Sequence, residues 1–347
     1  MSRIAQKRQN TSIAELARHC GLAEGTISRA LNNYPDIALK TRERVQQAAR
    51  ELGYRPSSTA RRLARGVVET VGFVLPGRKD HLSDPFLSEI LDGLAAELSA
   101  NDWDLLLAAV PDDHDEIDVM DRLLRAGKVG GFAVTRVRRK DPRIEYLRNA
   151  AIPFVAYGRT EKHNDYSWLD IDNEKAFVDA VAYLADLGHR RIALLGGDLQ
   201  MNYAWLRRQG FIKGLQAKGL EVRDDYVIDN VRVDLGAREA VERLLALDEP
   251  PTALVCITDS VAIGAMHALQ RAGLKPGRDV SIIGYDGLPI GTVMEPALTT
   301  MSQATYEAGR QIARMLLKQT ASQNSEISQV LWEAKLTPRA SAYPPAG

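Results

Sequence analysis

The sequence predicts an α/β protein with a small all-α domain at its N-terminus, followed by two doubly wound parallel α/β subdomains. Three observations support this prediction. Residues 11–53 repeat apolar positions at helical spacing three times, with glycines between the repeats. Residues 1–66 carry a net positive charge that the rest of the chain balances. From residue 69 onward, short apolar runs alternate with amphipathic segments, which is typical of parallel sheets covered by helices.

Length and composition restrict the class of protein. At 347 residues the chain is too long for one ordinary compact domain, and its 45% hydrophobic content is sufficient for a sizeable core. No apolar run approaches the ~18 residues of a membrane span, and no apolar segment follows the charged N-terminus as in a secretory signal. Both cysteines, Cys20 and Cys256, lie in apolar surroundings, which predicts buried thiols and a cytoplasmic protein.

Formal charge is distributed unevenly along the chain. Residues 1–66 hold 13 Lys or Arg and five Asp or Glu, a net charge of +8, whereas the remainder holds 32 and 40, a net charge of −8. A basic head on an acidic body predicts that only the head contacts a polyanion. Charge alone leaves RNA, DNA and an anionic membrane open.

The head contains three predicted helices. Their apolar positions are, in order, Ile13, Leu16, Ala17 and Cys20; Ile27, Ala30 and Leu31; and Val45, Ala48, Ala49 and Leu52. Gly21 ends the first helix, and Gly53 ends the third. Two helices joined by a glycine-containing turn, with a third helix completing the core, form a helix-turn-helix arrangement.

The second of these helices has a polar face suited to DNA. Its side chains are short or carry hydrogen-bonding groups, and the Arg29 guanidinium is long enough to reach a guanine edge or a phosphate. The residue types that commonly contact phosphates occur at Thr26, Ser28, Asn32, Thr41 and Arg42. A plain three-helix bundle with a solvated face is the alternative for any single residue, whereas charge, spacing and turn together favour DNA binding.

The runs TISRALN (26–32) and KTRERVQQAARELGYRPSSTARRL (40–63) resemble the DNA-binding head of the lactose/galactose-repressor (LacI/GalR) family. In that family the second helix enters the major groove, and its main specificity positions match Glu24, Gly25 and Arg29. The resemblance implies DNA contacts from Thr11, Glu24, Gly25, Thr26, Ser28, Arg29, Asn32, Thr41, Arg42, Tyr54, Ser57, Ala60, Arg61 and Leu63. Ala23 stands where the family usually has Ser and cannot accept a capping hydrogen bond, so the operator sequence cannot be copied from relatives.

Residues 56–65 are predicted to form a hinge helix. Pro56 suits a first helical turn, and Ala60, Leu63 and Ala64 form a narrow apolar stripe. About ten residues make a marginal helix in isolation, so this helix should fold when DNA and a second copy of the chain hold it. By the same resemblance it inserts into the minor groove, with Leu63 as a wedge at the central base step. A flexible basic tether is the alternative.

Strands and helices alternate along the body. The predicted strands are residues 71–75, 104–110, 131–135, 154–157, 192–195, 253–257 and 281–285. The predicted helices include residues 87–100, 174–187, 205–218, 237–247 and 260–272. In two doubly wound units of this kind, a ligand binds between the carboxyl ends of the strands.

The body also resembles the LacI/GalR family, whose body plan is that of the periplasmic sugar-binding proteins. The matching runs include DN (172–173), GHRRI (188–192), DVSIIGYD (279–286) and PALTT (296–300). The resemblance implies a head at residues 1–66, with its hinge helix at about 56–65, and an effector-binding and dimerisation domain at residues 67–347. Subdomain one would be about 69–167 plus 299–325, and subdomain two about 168–298 plus 326–347.

The resemblance further implies an effector site. Its residues would be Phe86, Arg136, Arg159, Tyr203, Arg207, Thr258, Asp259 and Asp286. A sugar suits this set, because its ring stacks on aromatic side chains while charged groups exchange hydrogen bonds with its hydroxyls. Arg136 and Arg159 are not common family choices, which leaves a phosphorylated sugar and a disaccharide open. For each residue, a solvated or structural loop role is the alternative.

The sequence lacks HExxH, GxSxG, a Walker A lysine loop and paired CxxC motifs, so no enzyme activity, cofactor or metal is expected. The prediction is a homodimeric bacterial transcriptional regulator that binds a near-palindromic double-stranded DNA operator and a small sugar-type effector. It would work in the cytoplasm, at the nucleoid. Release of a repressor by an inducer is the preferred hypothesis; a corepressor-dependent repressor, a dual activator and repressor, and a sugar-transport receptor are the alternatives.

Overall fold

The computed structural model describes residues 11–31, 33–54, 68–75, 84–111, 114–232, 235–321 and 326–345. The chain divides into two compact units, Met1–Val67 and Val68–Gly347. None of the helices within the described ranges is both long and apolar enough to cross a membrane. The predicted hinge helix lies outside these ranges. The same holds for five of the predicted DNA contacts, namely Asn32, Ser57, Ala60, Arg61 and Leu63.

The described part of the first unit is the predicted three-helix domain. Its helices are α1 (Ile13–Cys20), α2 (Glu24–Leu31) and α3 (Leu39–Glu51). Ser12 and Glu15 form a capping box at the start of α1, and Gly21 ends that helix in the left-handed region at φ 62°. The core consists of Leu16, Ala17, Ile27, Ala30, Val45, Ala48 and Ala49. These are the inward positions that helical spacing predicted.

The second unit is built from two sheets and the helices that cover them. Within the described residues its strands are β1 (Thr70–Leu75), β2 (Asp104–Ala109), β3 (Gly131–Val134), β4 (Phe154–Tyr157), β5 (Ser167–Ile171), β6 (Ile192–Leu195), β7 (Val227–Ile228), β8 (Ala253–Cys256), β9 (Ser281–Asp286), β10 (Thr299–Ser302), β11 (Gln329–Trp332) and β12 (Lys335–Thr337). Its α-helices are α4 (Pro85–Ala100), α5 (Glu116–Arg125), α6 (Pro142–Asn149), α7 (Asn173–Asp186), α8 (Asn202–Ala217), α9 (Leu235–Leu245), α10 (Asp259–Arg271), α11 (Ile290–Val293) and α12 (Thr305–Ala321).

Both sheets have a doubly wound topology. The first has the strand order β11-β5-β4-β3-β1-β2, and the second has the order β12-β10-β9-β8-β6-β7. The pairings are parallel except between β10 and β12. Central strands such as β4 and β8 are buried at every position. Strands covered by helices on both faces are continuously apolar, and this is why they were visible in the sequence. The predicted α/β fold class is confirmed.

The chain crosses between the two sheets a few residues later than predicted. Strand β5 pairs with β4 in the first sheet, β10 pairs with β9 in the second, and β11 returns to pair with β5. The predicted subdomain boundaries at residues 168, 299 and 326 assigned these three strands to the opposite subdomains. The structure corrects that assignment, because each strand completes a sheet edge before the chain leaves it. The crossings therefore follow β5, β10 and β11.

Glycines allow two helices of subdomain one to pack closely. Helix α4 crosses α12 at Gly93 and Gly309. A Cβ atom on Gly93 would collide with the carbonyl oxygen of Tyr306, and one on Gly309 with that of Ile90. The close approach fixes α4, whose first turn carries Phe86, one of the predicted effector contacts.

Candidate DNA-binding and effector-binding sites

Helix α2 presents its predicted specificity residues to solvent. Glu24, Gly25 and Arg29 are exposed, whereas Ile27 is fully buried. The Ala23 carbonyl accepts a hydrogen bond from the Ile27 N–H at 3.0 Å, so backbone bonding starts the helix without a Ser side chain at position 23. A Cβ atom added to Gly25 would meet open space. Packing within the head therefore does not require a glycine there.

Arg29 is held against its own domain. Its guanidinium forms an ion pair with Asp36 and lies 5.7 Å from the centroid of the Tyr34 ring. An exposed pair of this kind contributes little stability, so its exchange for a base or phosphate contact costs little. Arg29 therefore remains suited to its predicted role, although a base contact requires it to leave Asp36.

The other described candidates in the head are half-buried: Thr11, Thr26, Ser28, Thr41, Arg42 and Tyr54. The Thr11 hydroxyl donates to the Leu52 carbonyl at 2.7 Å and so joins the start of α1 to the end of α3. That bond gives Thr11 a structural role besides the predicted one. Burial raises the pKa of the Tyr54 hydroxyl, and the negative charge of Glu24 raises it further. Tyr54 therefore lies near Glu24, at the start of α2.

In the body, the carboxyl ends of strands from both sheets face each other. The Tyr157 hydroxyl, at the end of β4, donates to the Gln303 Oε1 atom at 2.7 Å. The Gln303 Nε2 atom donates to the Asp286 Oδ1 atom at 2.8 Å, and Asp286 ends β9. This hydrogen-bonded chain joins the first sheet to the second. It locates the site at the edge that the doubly wound topology predicts for a ligand.

Arg207 is the most constrained side chain of the site. It rises from α8, and its Nε atom donates to Asn173 Oδ1 at 2.8 Å while Nη1 donates to the Ile257 carbonyl at 2.6 Å. The guanidinium carbon lies 3.4 Å from the Tyr285 ring centroid and 4.8 Å from that of Tyr203. Arg207 is thus a buried, preorganised donor flanked by aromatic rings.

Asp286 and Arg136 lie at strand ends with unusual backbone geometry. Asp286 has φ 128° and Arg136 has φ 52°, a region that side-chain-bearing residues rarely adopt. Burial raises the pKa of Asp286 well above the usual value for an aspartate, and Arg207 opposes that effect. Strained backbone conformations such as these are common at functional sites, where the surrounding structure maintains them.

The first turn of α4 adds an aromatic ring and an ion pair to the site. The ring of Phe86 lies 5.8 Å from that of Tyr157. Asp84 caps α4 by accepting from the Phe86 N–H at 3.1 Å, and its other oxygen pairs with Arg136. The cap and the ion pair together hold Asp84 and Arg136 in place.

Arg159 follows β4 and pairs with Asp170 of β5. The Arg159 Nη1 atom lies 3.5 Å from Asp170 Oδ2, and the guanidinium carbon lies 5.4 Å from the Trp168 ring centroid. Burial raises the pKa of Asp170 to about 6, and Arg159 opposes the rise. Asp170 therefore carries its charge at neutral pH and loses it under mildly acidic conditions.

The structure gives Thr258 and Asp259 structural roles beside the predicted contact with a ligand. Thr258 caps α10 through its hydroxyl, which accepts from the Val261 N–H at 3.3 Å. Asp259 is fully buried, and one of its oxygens accepts from the Thr300 hydroxyl at 2.6 Å. Its other oxygen accepts from the N–H groups of Gly287 and Leu288 at 2.9 and 2.7 Å. Asp259 thus positions the loop after Asp286, because one of its oxygens accepts from two backbone N–H groups of that loop.

Six side chains of the site were missed by sequence reasoning: Asp84, Tyr157, Asp170, Asn173, Tyr285 and Gln303. Tyr157 and Tyr285 were placed in predicted strands, and their position at the strand ends was a usable signal. Gln303 follows β10, a short polar strand that the periodicity did not show. Its partners are distant in sequence, so only the fold brings them together.

A contact away from the crossings, which we call the latch, joins residues 137–139 to residues 200–202. Arg138 and Met201 form an antiparallel β-bridge. The Arg139 N–H donates to the Gln200 carbonyl at 2.8 Å, and the Asn202 N–H donates to the Val137 carbonyl at 3.0 Å. The latch follows β3 and β6, which lie inside their sheets, whereas the crossings lie toward β5, β10 and β11. The strand ends are therefore bridged on two sides.

Known proteins match both units. Residues 12–57 match the model of bacterial regulatory proteins of the lacI family, and residues 181–342 match that of the periplasmic binding protein-like domain. The transcriptional regulator AglR of Rhizobium meliloti (strain 1021) is 38% identical over 341 residues, covering 96% of this chain and 94% of AglR. RafR of Escherichia coli is 33% identical, covering 96% of this chain and 99% of RafR.

Solved structures give the same result. The complex of the transcriptional regulator CelR with cellobiose has a TM-score of 0.74 at 28% identity and covers 96% of this chain and all (100%) of CelR. The lac repressor dimer bound to operator has a TM-score of 0.82 at 23% identity, over 96% of this chain and 100% of the repressor chain, which shows the shared fold.

The helix-turn-helix head and the effector-binding body define a DNA-binding transcriptional regulator. The chain belongs to the LacI family of bacterial transcriptional regulators, as its full-length similarity to AglR and RafR shows. The predicted family and the predicted role as a DNA-binding transcriptional regulator are thereby confirmed.

Proposed function

We propose that this regulator is a homodimeric repressor of carbohydrate-utilisation genes and that a sugar-type inducer releases it from its operator. The observation that carries the proposal is the buried Arg207, fixed between Tyr203 and Tyr285 near Asp286 at the facing strand ends. Ring faces and preorganised donors and acceptors suit a sugar. The similarity to the CelR–cellobiose complex supports a carbohydrate effector.

The head reads DNA through α2. Two heads in a twofold dimer bind two half-sites, so the operator is a near-palindrome of double-stranded DNA. Glu24, Gly25 and Arg29 supply the base contacts, and the half-buried polar residues of the head contact phosphates. A repressor of this kind acts in the cytoplasm, where the chromosome lies, and performs no catalysis.

Residues 56–65 convert the state of the body into affinity for the operator. In this proposal they form a helix that enters the minor groove, with Leu63 between unstacked bases. The Leu63→Ala variant should lose at least about tenfold in specific affinity, whereas Ser58→Ala, a control in the same segment, should bind nearly as the wild type does. Equal operator affinity of the Leu63→Ala variant and the wild type would refute the wedge.

Effector binding is coupled to the angle between the two subdomains. The effector contacts residues of both, including Phe86, Arg136 and Arg159 from one and Tyr203, Arg207 and Asp286 from the other. A ligand shifts the equilibrium only by its differential affinity for the two states, and such coupling is typically ~1–3 kcal/mol. We therefore expect inducer to weaken operator binding by about 5- to 150-fold.

Selection of operator DNA tests the proposal. The full chain is mixed with fragmented genomic DNA, and bound fragments are sequenced at two salt concentrations. Near-palindromic sites beside carbohydrate genes are expected, with affinity that falls steeply with salt because counterions leave the phosphates. Enrichment of sequences without twofold symmetry would contradict the dimeric reading, and sites whose occupancy does not change with any sugar would contradict induction.

A further inference from the structure

Subdomain one contributes two arginines, Arg136 and Arg159, to the proposed effector site, and unpaired arginines there would favour an anionic effector. Arg136 is the first case. Its partner Asp84 uses Oδ1 to cap α4 through the Phe86 N–H at 3.1 Å, and this bond directs Oδ2 toward the Arg136 guanidinium. Because the carboxylate is fixed by the start of a helix, it stays beside Arg136 whether or not a ligand is present. The positive charge of Arg136 is therefore already compensated.

Arg159 is compensated in the same way. Asp170 Oδ1 accepts from the Ile171 N–H at 2.8 Å and from Asn173 Nδ2 at 3.2 Å, which leaves Oδ2 to face Arg159 at 3.5 Å. The two side chains are only 14% and 6% exposed. A buried pair held by further hydrogen bonds is costly to break, so Arg159 does not exchange its carboxylate for a ligand phosphate.

Arg207 and Asp286 have no such partners. The bonds of Arg207 go to an amide oxygen and a backbone carbonyl, both neutral. Among the residues that the structure describes, Asp286 accepts from Gln303 and forms no ion pair. Two of the three guanidinium groups are thus paired with carboxylates, and a phosphorylated ligand would bring further negative charge into a buried site next to Asp286. A hydroxyl group can donate to Asp286 and accept from Arg207 at no such cost.

Building on the effector site proposed above, we infer that the effector is an uncharged polyhydroxylated molecule and that Asp84 and Asp170 exclude its phosphorylated counterparts by neutralising Arg136 and Arg159. Asp84 and Asp170 are thus specificity-determining residues that need not contact the effector. The hydroxyls of Tyr157 and Tyr203 stay protonated, because burial raises the pKa of both. They add neutral donors to the same surface.

Matched pairs of ligands test this inference on the full chain. Glucose, galactose, maltose, sucrose and adenosine are compared with glucose 6-phosphate, galactose 1-phosphate, maltose 1-phosphate, sucrose 6-phosphate and AMP by thermal shift and calorimetry. We expect a neutral sugar to bind and its phosphate to bind at least about 100-fold more weakly, as a single uncompensated charge near a carboxylate predicts. A phosphate that binds as well as its parent sugar would overturn the inference while leaving the proposed function intact. Binding of adenosine or AMP with no sugar bound would overturn the proposed function itself.

The Asp84→Asn variant tests the role of the carboxylate. Asn keeps the oxygen that caps α4 but removes the charge beside Arg136. We expect the affinity for the phosphate to rise relative to that for its parent sugar, so that the discrimination between the two shrinks at least about tenfold. Asp115→Asn is the matched control, because Asp115 caps α5 by accepting from the Asp118 N–H at 2.8 Å. If the ratio of sugar affinity to phosphate affinity is the same in Asp84→Asn, Asp115→Asn and the wild type, Asp84 does not determine specificity. Asp170→Asn tests the second carboxylate independently in the same way.

Discussion

The buried carboxylate of Asp170 makes a quantitative prediction about stability. Burial raises its pKa from 3.8 to about 6, although Arg159 opposes the change. Because the folded state holds this proton more tightly than the unfolded state, the free energy of unfolding falls as pH rises between about 4 and 6. The difference of about two pKa units corresponds to ~3 kcal/mol above pH 6.

The Asp170→Asn variant should remove this cost. Asn is neutral at every pH and has nearly the shape of the protonated acid, so the variant should resemble the wild type at pH 4. Between pH 4 and pH 7 the variant should gain about 3 kcal/mol relative to the wild type, because only the wild type must ionise a buried group over that range. Urea unfolding monitored by tryptophan fluorescence, at intervals from pH 4 to pH 7, gives the difference directly.

Asp172→Asn provides the control for this experiment. Asp172 lies two residues away and caps α7 by accepting from the Lys175 N–H at 3.0 Å, a role that Asn also fills. This control should keep most of the pH dependence of the wild type, because the charge of Asp172 makes only a minor contribution to the raised pKa of Asp170. If the difference between Asp170→Asn and the wild type is the same at pH 4 and pH 7, the argument that burial controls the titration of Asp170 is wrong.

Three further predictions concern the effector site, the latch and the head. The Arg207→Lys and Asp286→Asn variants should each lose at least about tenfold in affinity for the sugar identified by the ligand comparison, measured by calorimetry, while operator affinity is kept. A normal inducer response in both variants would contradict the assigned site. In the double variant Arg138→Cys and Met201→Cys, the two Cα atoms should lie about 4.5 Å apart as a non-hydrogen-bonded pair, a distance that a disulfide can span. The disulfide should slow sugar association at least about tenfold until it is reduced. Unchanged association rates in stopped-flow experiments would show that the ligand enters elsewhere. The Leu16→Ala variant should destabilise the head by about 3 kcal/mol and abolish operator binding without moving the thermal transition of the body; intact binding at 37 °C would show that the head tolerates the cavity.

The elements that were predicted correctly are those whose own residue pattern determines which positions are buried. Strands β4, β6 and β8 are runs of apolar residues that two layers of helices must cover, and their predicted ends are within one residue of those observed. The head helices were equally visible, because each has a regular apolar stripe and α1 and α3 end at a glycine. In these cases the local pattern and the fold agree.

Other elements depend on partners that the local sequence does not reveal. Strand β10 is polar and short, and it exists because Thr300 and Met301 pair with residues of β9 and β12. Asp259 follows a strand, as a ligand-binding residue would. Its side chain is nevertheless buried, because it accepts a hydrogen bond from the N–H of Gly287 in the loop that packs over it. Asp84 and Asp170 could not be chosen as partners of Arg136 and Arg159 from the sequence, since the pairs form only once the sheet is assembled.

The latch has a consequence for the speed of the response. An effector that reaches the strand ends from the side of residues 137–139 must wait until two backbone hydrogen bonds open and until Arg139 leaves the Trp205 ring, 4.7 Å away. The observed association rate should then rise with sugar concentration only until opening becomes the slow step, after which it reaches a plateau. In a cell, that plateau would set the shortest delay between the arrival of sugar and the start of transcription, however much sugar is present.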